Sequence, residues 1–139
     1  MSDITNPETY RFWIDEHVRF ADLDPLGHAN NTAIGTYFES ARVSLFEQAG
    51  DGVTGPDAGV VLARIVIDYR AELRYPARLR IGVRVGRIGT TSVTLESAVF
   101  DGARCAASSE AVCVLIDTSA RRPTALPEAL RARLTDAAG

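Results

Sequence analysis

Only one segment before the C-terminal end of this chain has the apolar spacing of a long helix, and nearly everything after it alternates as strands do. A helix from Thr32 to Ala49 would be about 27 Å long. Asn30 or Asn31 can cap its first turn, and Gly50 is suited to end it. Because one helix cannot form a bundle, strands must cover its apolar stripe. The residues of this stripe are Ile34, Tyr37, Phe38, Ala41, Leu45 and Ala49.

Strand patterns lie on both sides of this helix. One strand is predicted from Tyr10 to Phe20, with an interruption near Asp15–Glu16, and the first nine residues are expected to be frayed. Val60 to Arg70 starts as a buried run, and hairpin turns are predicted at Gly89-Thr90 and Asp101-Gly102. The chain is therefore predicted to be one α+β domain, residues 1–139, in which a five-stranded antiparallel sheet wraps around the central helix. The remaining predicted elements are strands at 79–86, 93–99 and 104–117 and a short helix at 128–135.

Composition limits the chemistry that is available. All 15 positive charges are Arg, because the 139 residues include no Lys, and the net charge is −3. Schiff-base chemistry and a lysine phosphate loop are thereby excluded, and no basic field favours nucleic acid. With only His17 and His28, a His-rich metal site is not expected. Cys105 and Cys113 fall about 26 Å apart on one predicted strand, too far for a disulfide, so a reduced, cytoplasmic protein is expected.

The loop before the helix carries the most promising chemistry. Asp22 and Asp24 stand two positions apart, His28 follows, and Asn30 and Asn31 begin the helix. Unpaired N–H groups at a helix N-terminus bind anions and stabilise an oxyanion, while a carboxylate beside them can act as nucleophile or general base. This arrangement suits hydrolysis of an activated acyl group. The alternative is structural: the aspartates form turn hydrogen bonds, Asn30 only caps, and His28 is bonded to backbone.

Motifs for several competing functions are missing. The sequence has no G-x-S-x-G nucleophile elbow, and its glycines do not follow a phosphate-loop or dinucleotide-binding spacing. On the helix, Glu39 and Arg42 are three positions apart, which favours an ion pair between them.

Two segments, Val18–Asn31 and Tyr37–Arg42, resemble the 4-hydroxybenzoyl-CoA thioesterase-like family of hotdog-fold acyl-CoA thioesterases. Ile67–Pro76, Gly89–Ser92 and Pro127–Leu130 fit the same family, so the resemblance covers about residues 12–134. It implies a hotdog fold and hydrolysis of an acyl-CoA to a free acid and CoA, with no cofactor and no metal.

The resemblance also implies roles for individual residues. Asp24, immediately before the Pro-x-Gly turn, corresponds to the catalytic carboxylate of the family. The backbone N–H of Asn31 corresponds to the oxyanion donor, and Asp22 supports the loop. The substrate-binding residues implied on the loop and helix are His28, Asn30 and Tyr37.

Hotdog dimers place active sites between subunits, so the resemblance implies a homodimer or homotetramer that binds acyl-CoA, and no nucleic acid or membrane. The segment Gly59–Ala63 would line the partner's pocket through Gly59, Val60 and Val61. The acyl group stays open, because Gly35 is smaller than the family's usual residue. Two alternatives remain: a non-catalytic domain that binds an acyl thioester or aromatic ligand, and a hotdog dehydratase.

Overall fold

The fold is an antiparallel sheet curled around one long helix, seen in a computed structural model that describes residues 3–139. The five long strands are ordered β1-β3-β4-β5-β2, and a two-residue strand, β6, pairs with the end of β5. The predicted five-stranded antiparallel sheet is therefore confirmed, with β6 as an unpredicted addition. The strands are β1 (Phe12–Val18), β2 (Ala58–Tyr69), β3 (Ala77–Ile88), β4 (Ser92–Asp101), β5 (Arg104–Asp117) and β6 (Arg122–Pro123).

The long helix, α1, spans Asn31–Gly50, and a shorter helix, α2, spans Glu128–Ala138. Asn30 caps α1, as predicted, by accepting the N–H of Ala33 on its side-chain oxygen at 2.8 Å. The prediction that Gly50 follows the helix was wrong by one residue. Gly50 is the last helical residue, and its carbonyl accepts the N–H groups of Val53 and Thr54. The residue with a left-handed backbone conformation is Gly52, with a φ of 73°. Among the described residues no helix is long and apolar enough to cross a membrane.

The core lies between α1 and the concave face of the sheet. The apolar stripe predicted for α1 is buried, with Phe38, Ala41 and Leu45 fully covered. Each large apolar side chain removed from water in this way contributes roughly 1.5–3 kcal/mol. The stripe packs in one cluster with sheet residues that include Leu79, Ile81, Val83 and Leu95 and with Leu130 and Leu134 of α2.

Two predictions about the N-terminal region were wrong. β1 is not interrupted, since Asp15 and Glu16 both pair with β3 in register. Residues 3–9 are also not frayed: a 3-10 helix forms at Pro7–Thr9, and the Tyr10 hydroxyl donates to the carbonyl of Ile4 at 2.6 Å. Tyr10 lies so close to Gly82 of β3 that a Cβ there would be 2.6 Å from its ring, so only glycine fits. Met1 and Ser2 lie outside the described residues.

Strand β2 is one of the two edge strands of the sheet, and β1 is the other. Val60, Val61 and Leu62 are 40–44% exposed, which contradicts the prediction that this strand begins as a buried run. The reason is topological: β2 pairs with β5 on one side, and no described strand pairs with its other side. β2 is therefore an open edge of the sheet with apolar side chains on it.

Candidate active site

The polar loop before α1 folds back on itself as a tight turn. The N–H of Asp24 donates to the carbonyl of His28 at 2.8 Å, and the N–H of Gly27 donates to the carbonyl of Asp24 at 3.0 Å. Pro25 suits the second position of such a turn, and Gly27 supplies the positive φ of 81°. Farther out, the N–H of Asn30 donates to the carbonyl of Asp22 at 2.9 Å. The turn therefore ties both aspartates to the start of the helix.

Asp24 is held by one of its two carboxylate oxygens. Its Oδ1 accepts the backbone N–H of Leu26 at 2.8 Å and that of His28 at 3.3 Å. Its Oδ2 takes part in no hydrogen bond within residues 3–139, and the residue is half-buried. The turn hydrogen bonds that a purely structural role for Asp24 predicts are therefore present. They use only Oδ1 and leave Oδ2 of this oriented carboxylate free to react.

The N-terminus of α1 has two backbone N–H groups that donate to no acceptor in the described part of the chain. Asn30 satisfies the N–H of Ala33 and accepts that of Ile34 on its carbonyl. The N–H groups of Asn31 and Thr32 donate to nothing in the described part of the chain, and both residues are exposed. Such orphan donors at a helix N-terminus attract negative charge. An oxyanion can be stabilised here, at the position predicted for Asn31.

Asp22 is a buried carboxylate whose bonds are all internal. Its Oδ2 accepts the Tyr37 hydroxyl at 2.6 Å and the N–H of Arg19 at 3.0 Å, and Arg19 also reaches Oδ1 at 3.3 Å. Burial works to raise the pKa of Asp22, but the hydrogen bonds from Tyr37 and Arg19 outweigh it and hold that pKa below its usual value. Asp22 is therefore ionised and braces the loop against α1.

Tyr37 lies behind the site rather than on its surface. Burial, followed by the hydrogen bond and charge of Asp22, raises the pKa of its hydroxyl. Its side chain is 1% exposed, so in this chain it has no free surface to offer a substrate, contrary to the predicted contact. Tyr37 acts on the loop through Asp22 instead.

His28 has a partner that no local pattern indicated. Its Nε2 lies 3.1 Å from Oε2 of Glu72, and the backbone at His28 bridges to Arg74. The neighbouring Ala29 N–H donates to the carbonyl of Leu73 at 2.8 Å. The segment before β3 therefore fixes the far side of the loop. Sequence analysis missed Glu72 because its contact with His28 depends on the fold and not on spacing.

The predicted residues on β2 lie beside the middle and end of α1. Gly59 and Val60 line a cavity of about 370 Å³ between β2 and α1, which Arg42 and Phe46 also line. Val61 is exposed on the same edge strand. Within residues 3–139 no ion pair joins Glu39 to Arg42, so that prediction was wrong. The Nη1 atom of Arg42 is buried without a hydrogen-bond partner in this part of the chain.

A curled antiparallel sheet around a long central helix, with a polar loop at the helix start, defines a hotdog-fold protein. The model of the thioesterase-like superfamily matches residues 18–134, and the chain belongs to this superfamily. The family that the sequence resembled is thereby confirmed.

The chain is similar to several solved structures and to one curated relative. The PA5185 protein of Pseudomonas aeruginosa is 28% identical, with a TM-score of 0.87 and 96% of each chain covered. A Thermus thermophilus thioesterase, described as complexed with coenzyme A and Zn, is 32% identical, with a TM-score of 0.80 and coverage of 93% of this chain and 95% of that one. The uncharacterised YsmA of Bacillus subtilis is 31% identical over 87 residues, which cover 63% of this chain and 59% of YsmA.

Proposed function

We propose that this protein hydrolyses an acyl-CoA thioester to a free carboxylic acid and CoA. The observation that carries the proposal is the free Oδ2 of Asp24, held in a turn tied to a helix start where the N–H groups of Asn31 and Thr32 have no described partner. Membership of the thioesterase-like superfamily supports the reaction class. The related Thermus thermophilus thioesterase complexed with coenzyme A supports the choice of thiol.

In the proposed site the thioester carbonyl oxygen accepts the N–H of Asn31 as negative charge develops on it. Asp24 then acts by one of two routes. Its Oδ2 attacks the carbonyl carbon, the C–S bond breaks to release CoA, and water hydrolyses the resulting anhydride. Alternatively, Oδ2 takes a proton from water as that water attacks, and the proton passes to the departing thiolate. Both routes consume one water and give the same products.

The other loop residues hold and complete this site. The side chain of Asn30 is used at both ends, since its oxygen caps α1 and its nitrogen donates to the carbonyl of Asp22 at 2.9 Å. Asn30 therefore positions Asp24 relative to the helix start. His28 is half-buried beside Asp24 and is held by Glu72, so its ring is placed to contact the substrate.

Replacing Asp24 tests the proposal directly. Asp24→Asn keeps the size of the side chain and can still accept the turn bonds, but it lacks the nucleophile or base. We expect thiol release from a panel of acyl-CoA esters to fall by about 10²–10⁴-fold, while Asp136→Asn at an exposed position of α2 leaves the rate unchanged. Full activity in Asp24→Asn, or tight acyl-CoA binding by wild type with no CoA released, contradicts the mechanism. In the second case the protein is a binding domain.

The two chemical routes differ in where an oxygen from water ends up. A single turnover in ¹⁸O-labelled water puts label into the Asp24 carboxylate only if an anhydride forms and is hydrolysed at that carboxylate. Label in Asp24 therefore rules out a pure general-base route, whereas label found only in the product acid fits both the general-base route and an anhydride that water opens at the substrate carbon. Mass spectrometry of the peptide that contains Asp24 separates the two results.

We further propose that two chains pair through the β2 edge and share their sites. The edge presents unpaired backbone groups together with exposed Val60, Val61 and Leu62. Pairing there brings Gly59–Val61 of one chain toward the other chain's site. Light scattering at micromolar concentration tests this: a dimer or tetramer is expected, and a monomer contradicts it. Val61→Arg should weaken the assembly, whereas Val112→Arg on β5 serves as a control inside the sheet's paired region.

A further inference from the structure

Arg42 is the side chain whose environment the proposed reaction leaves unexplained. It is 7% exposed, and its Nη1 atom is fully buried without a hydrogen-bond partner in residues 3–139. A buried N–H donor of a guanidinium without an acceptor is costly, because its desolvation is not compensated. An acceptor from outside the described chain would remove that cost.

The cavity that Arg42 lines could hold such an acceptor. Its volume is about 370 Å³, within the range of small-molecule pockets. Most of its wall is apolar, from Val43, Phe46, Leu62 and Leu115. Cys113 also lies in the wall, but burial raises the pKa of its thiol, so no thiolate neutralises Arg42 there. An apolar pocket with one buried cation suits an apolar chain that ends in an anion.

The charged neighbours do not supply that anion. Glu39 and Glu47 also line the cavity, yet both are exposed and neither forms an ion pair with Arg42 among the described residues. Arg42 is thus the buried charge in the cavity wall, and the two glutamates lie at its solvent side. An anion that pairs with Arg42 therefore has to come from a bound ligand.

The position of Arg42 along α1 relates the cavity to the proposed reaction centre. Arg42 follows Asn31 by eleven positions on α1. Their Cα atoms therefore lie about 16 Å apart along the helix axis and about 20° apart around it. Arg side chains on helices lean toward the N-terminus, so the guanidinium is nearer to Asn31 than its Cα. Gly35 lies between the two, and a Cβ added there would meet nothing within 4 Å. At this one position, therefore, no neighbouring atom blocks the helix surface between Asn31 and Arg42.

We propose that the preferred substrates are ω-carboxyacyl-CoA esters of intermediate length, whose terminal carboxylate binds Arg42 in the cavity between α1 and β2. This inference rests on the proposed hydrolysis, with the thioester oxygen at Asn31. An acyl chain of roughly six carbons, as in adipoyl-CoA, suits the spacing along the helix. Hydrolysis then gives the dicarboxylic acid and CoA, and the ω-carboxylate itself does not react.

The matched pair of adipoyl-CoA and hexanoyl-CoA isolates the terminal carboxylate. We expect wild type to favour adipoyl-CoA in kcat/KM by at least about tenfold, since a hydrogen bond between charged groups is lost with hexanoyl-CoA. Arg42→Met should bring this ratio close to one, and Arg42→Lys should retain part of it. Glu39→Gln, which changes an exposed charge at the same cavity, should keep or raise the ratio.

Binding measurements separate this inference from the proposed reaction. Calorimetry on Asp24→Asn, with and without Arg42→Met, reports the preference for adipoyl-CoA without turnover. If wild type binds adipoyl-CoA but releases no CoA, the hydrolysis proposal fails and the binding preference still holds. If hexanoyl-CoA is hydrolysed as well as adipoyl-CoA, or Arg42→Met leaves the ratio unchanged, the carboxylate assignment is overturned. Conversion of a wild-type dimer to a monomer by Arg42→Met overturns it as well, because Arg42 then pairs with the second copy.

Discussion

Two arginines in this protein are buried to nearly the same extent but have opposite surroundings. Arg84 on β3 is 8% exposed, and Arg42 on α1 is 7% exposed. Arg84 donates from Nε to Glu96 at 3.0 Å and from Nη1 to the Thr9 hydroxyl at 2.5 Å, and its guanidinium lies 5.1 Å from the centre of the Tyr10 ring. Arg42 has a buried Nη1 with no partner in the described residues.

The difference follows from where each arginine lies. Arg84 faces Glu96 directly across the β3–β4 ladder, and the N-terminal segment covers it, so the chain supplies all the compensation itself. Arg42 lies beside the open edge strand β2, where the chain provides only a cavity wall. A buried charge that a fold neutralises internally is structural. A buried charge that the fold leaves unpaired at an open cavity points to something that binds there.

The largest expected effect comes from taking the carboxylate away from Arg84. Glu96→Leu should lower the free energy of unfolding by about 2–3 kcal/mol, because the buried guanidinium loses its charged acceptor. Glu110→Leu is a matched control, since Glu110 is paired in register with Glu96 but forms only an exposed ion pair with Arg64 at 3.7 Å. That control should cost less than about 1 kcal/mol in chemical denaturation. Equal losses in the two variants would mean that the Arg84 pair is no more than a surface contact.

Local patterns predicted much of this molecule, and several of the failures concern contacts that depend on the whole fold. The cap at Asn30, the span of β5 and the turn at Gly102 follow from neighbouring residues, and all were predicted. The exposure of Val60 depends on which strand lies at the sheet edge, and a buried strand and an apolar edge strand look alike in sequence.

The candidate site also contains both residues that local patterns could predict and residues that only the fold brings together. Asp24 and Asn31 could be selected because the loop and helix start are adjacent in sequence, whereas Glu72 reaches His28 only through the fold. The spacing of Glu39 and Arg42 favoured an ion pair, but local spacing cannot show that burial separates the two side chains. The isolation of Arg42 was therefore beyond sequence analysis.

A third buried charge, Asp22, extends the comparison to a carboxylate. Tyr37→Phe removes the hydroxyl that donates to Asp22 at 2.6 Å and changes little else in the packing. We expect a loss of about 1.5–2 kcal/mol in the free energy of unfolding, as for other hydrogen bonds to a charged group. The kcat of thioester hydrolysis should also fall, because Asp22 braces the loop that carries Asp24. Tyr69→Phe, at an exposed tyrosine, is the control and should leave stability unchanged.

The effect of Tyr37→Phe on stability should depend on pH. Bonds from Tyr37 and Arg19 hold the pKa of Asp22 below its usual value of about 4, so this carboxylate stabilises the fold above that pH. The contribution is lost as the pH falls through the lower pKa of the folded state. The difference in unfolding free energy between wild type and Tyr37→Phe should therefore be largest at pH 6–7 and shrink below about pH 4. A difference that is constant from pH 7 to pH 3 would contradict an ionised Asp22.

The smallest expected effect has the opposite sign. Without ligand, Arg42→Met should raise the free energy of unfolding by about 1 kcal/mol, because an apolar side chain of similar length replaces an uncompensated buried charge. Arg64→Met, at an exposed arginine, should change stability by less than about 0.5 kcal/mol. With saturating adipoyl-CoA on the Asp24→Asn background the order should reverse, since the ligand then stabilises the chain with Arg42 more than the chain with Met. If Arg42→Met is destabilised without ligand, the guanidinium is already compensated, and the contrast with Arg84 disappears.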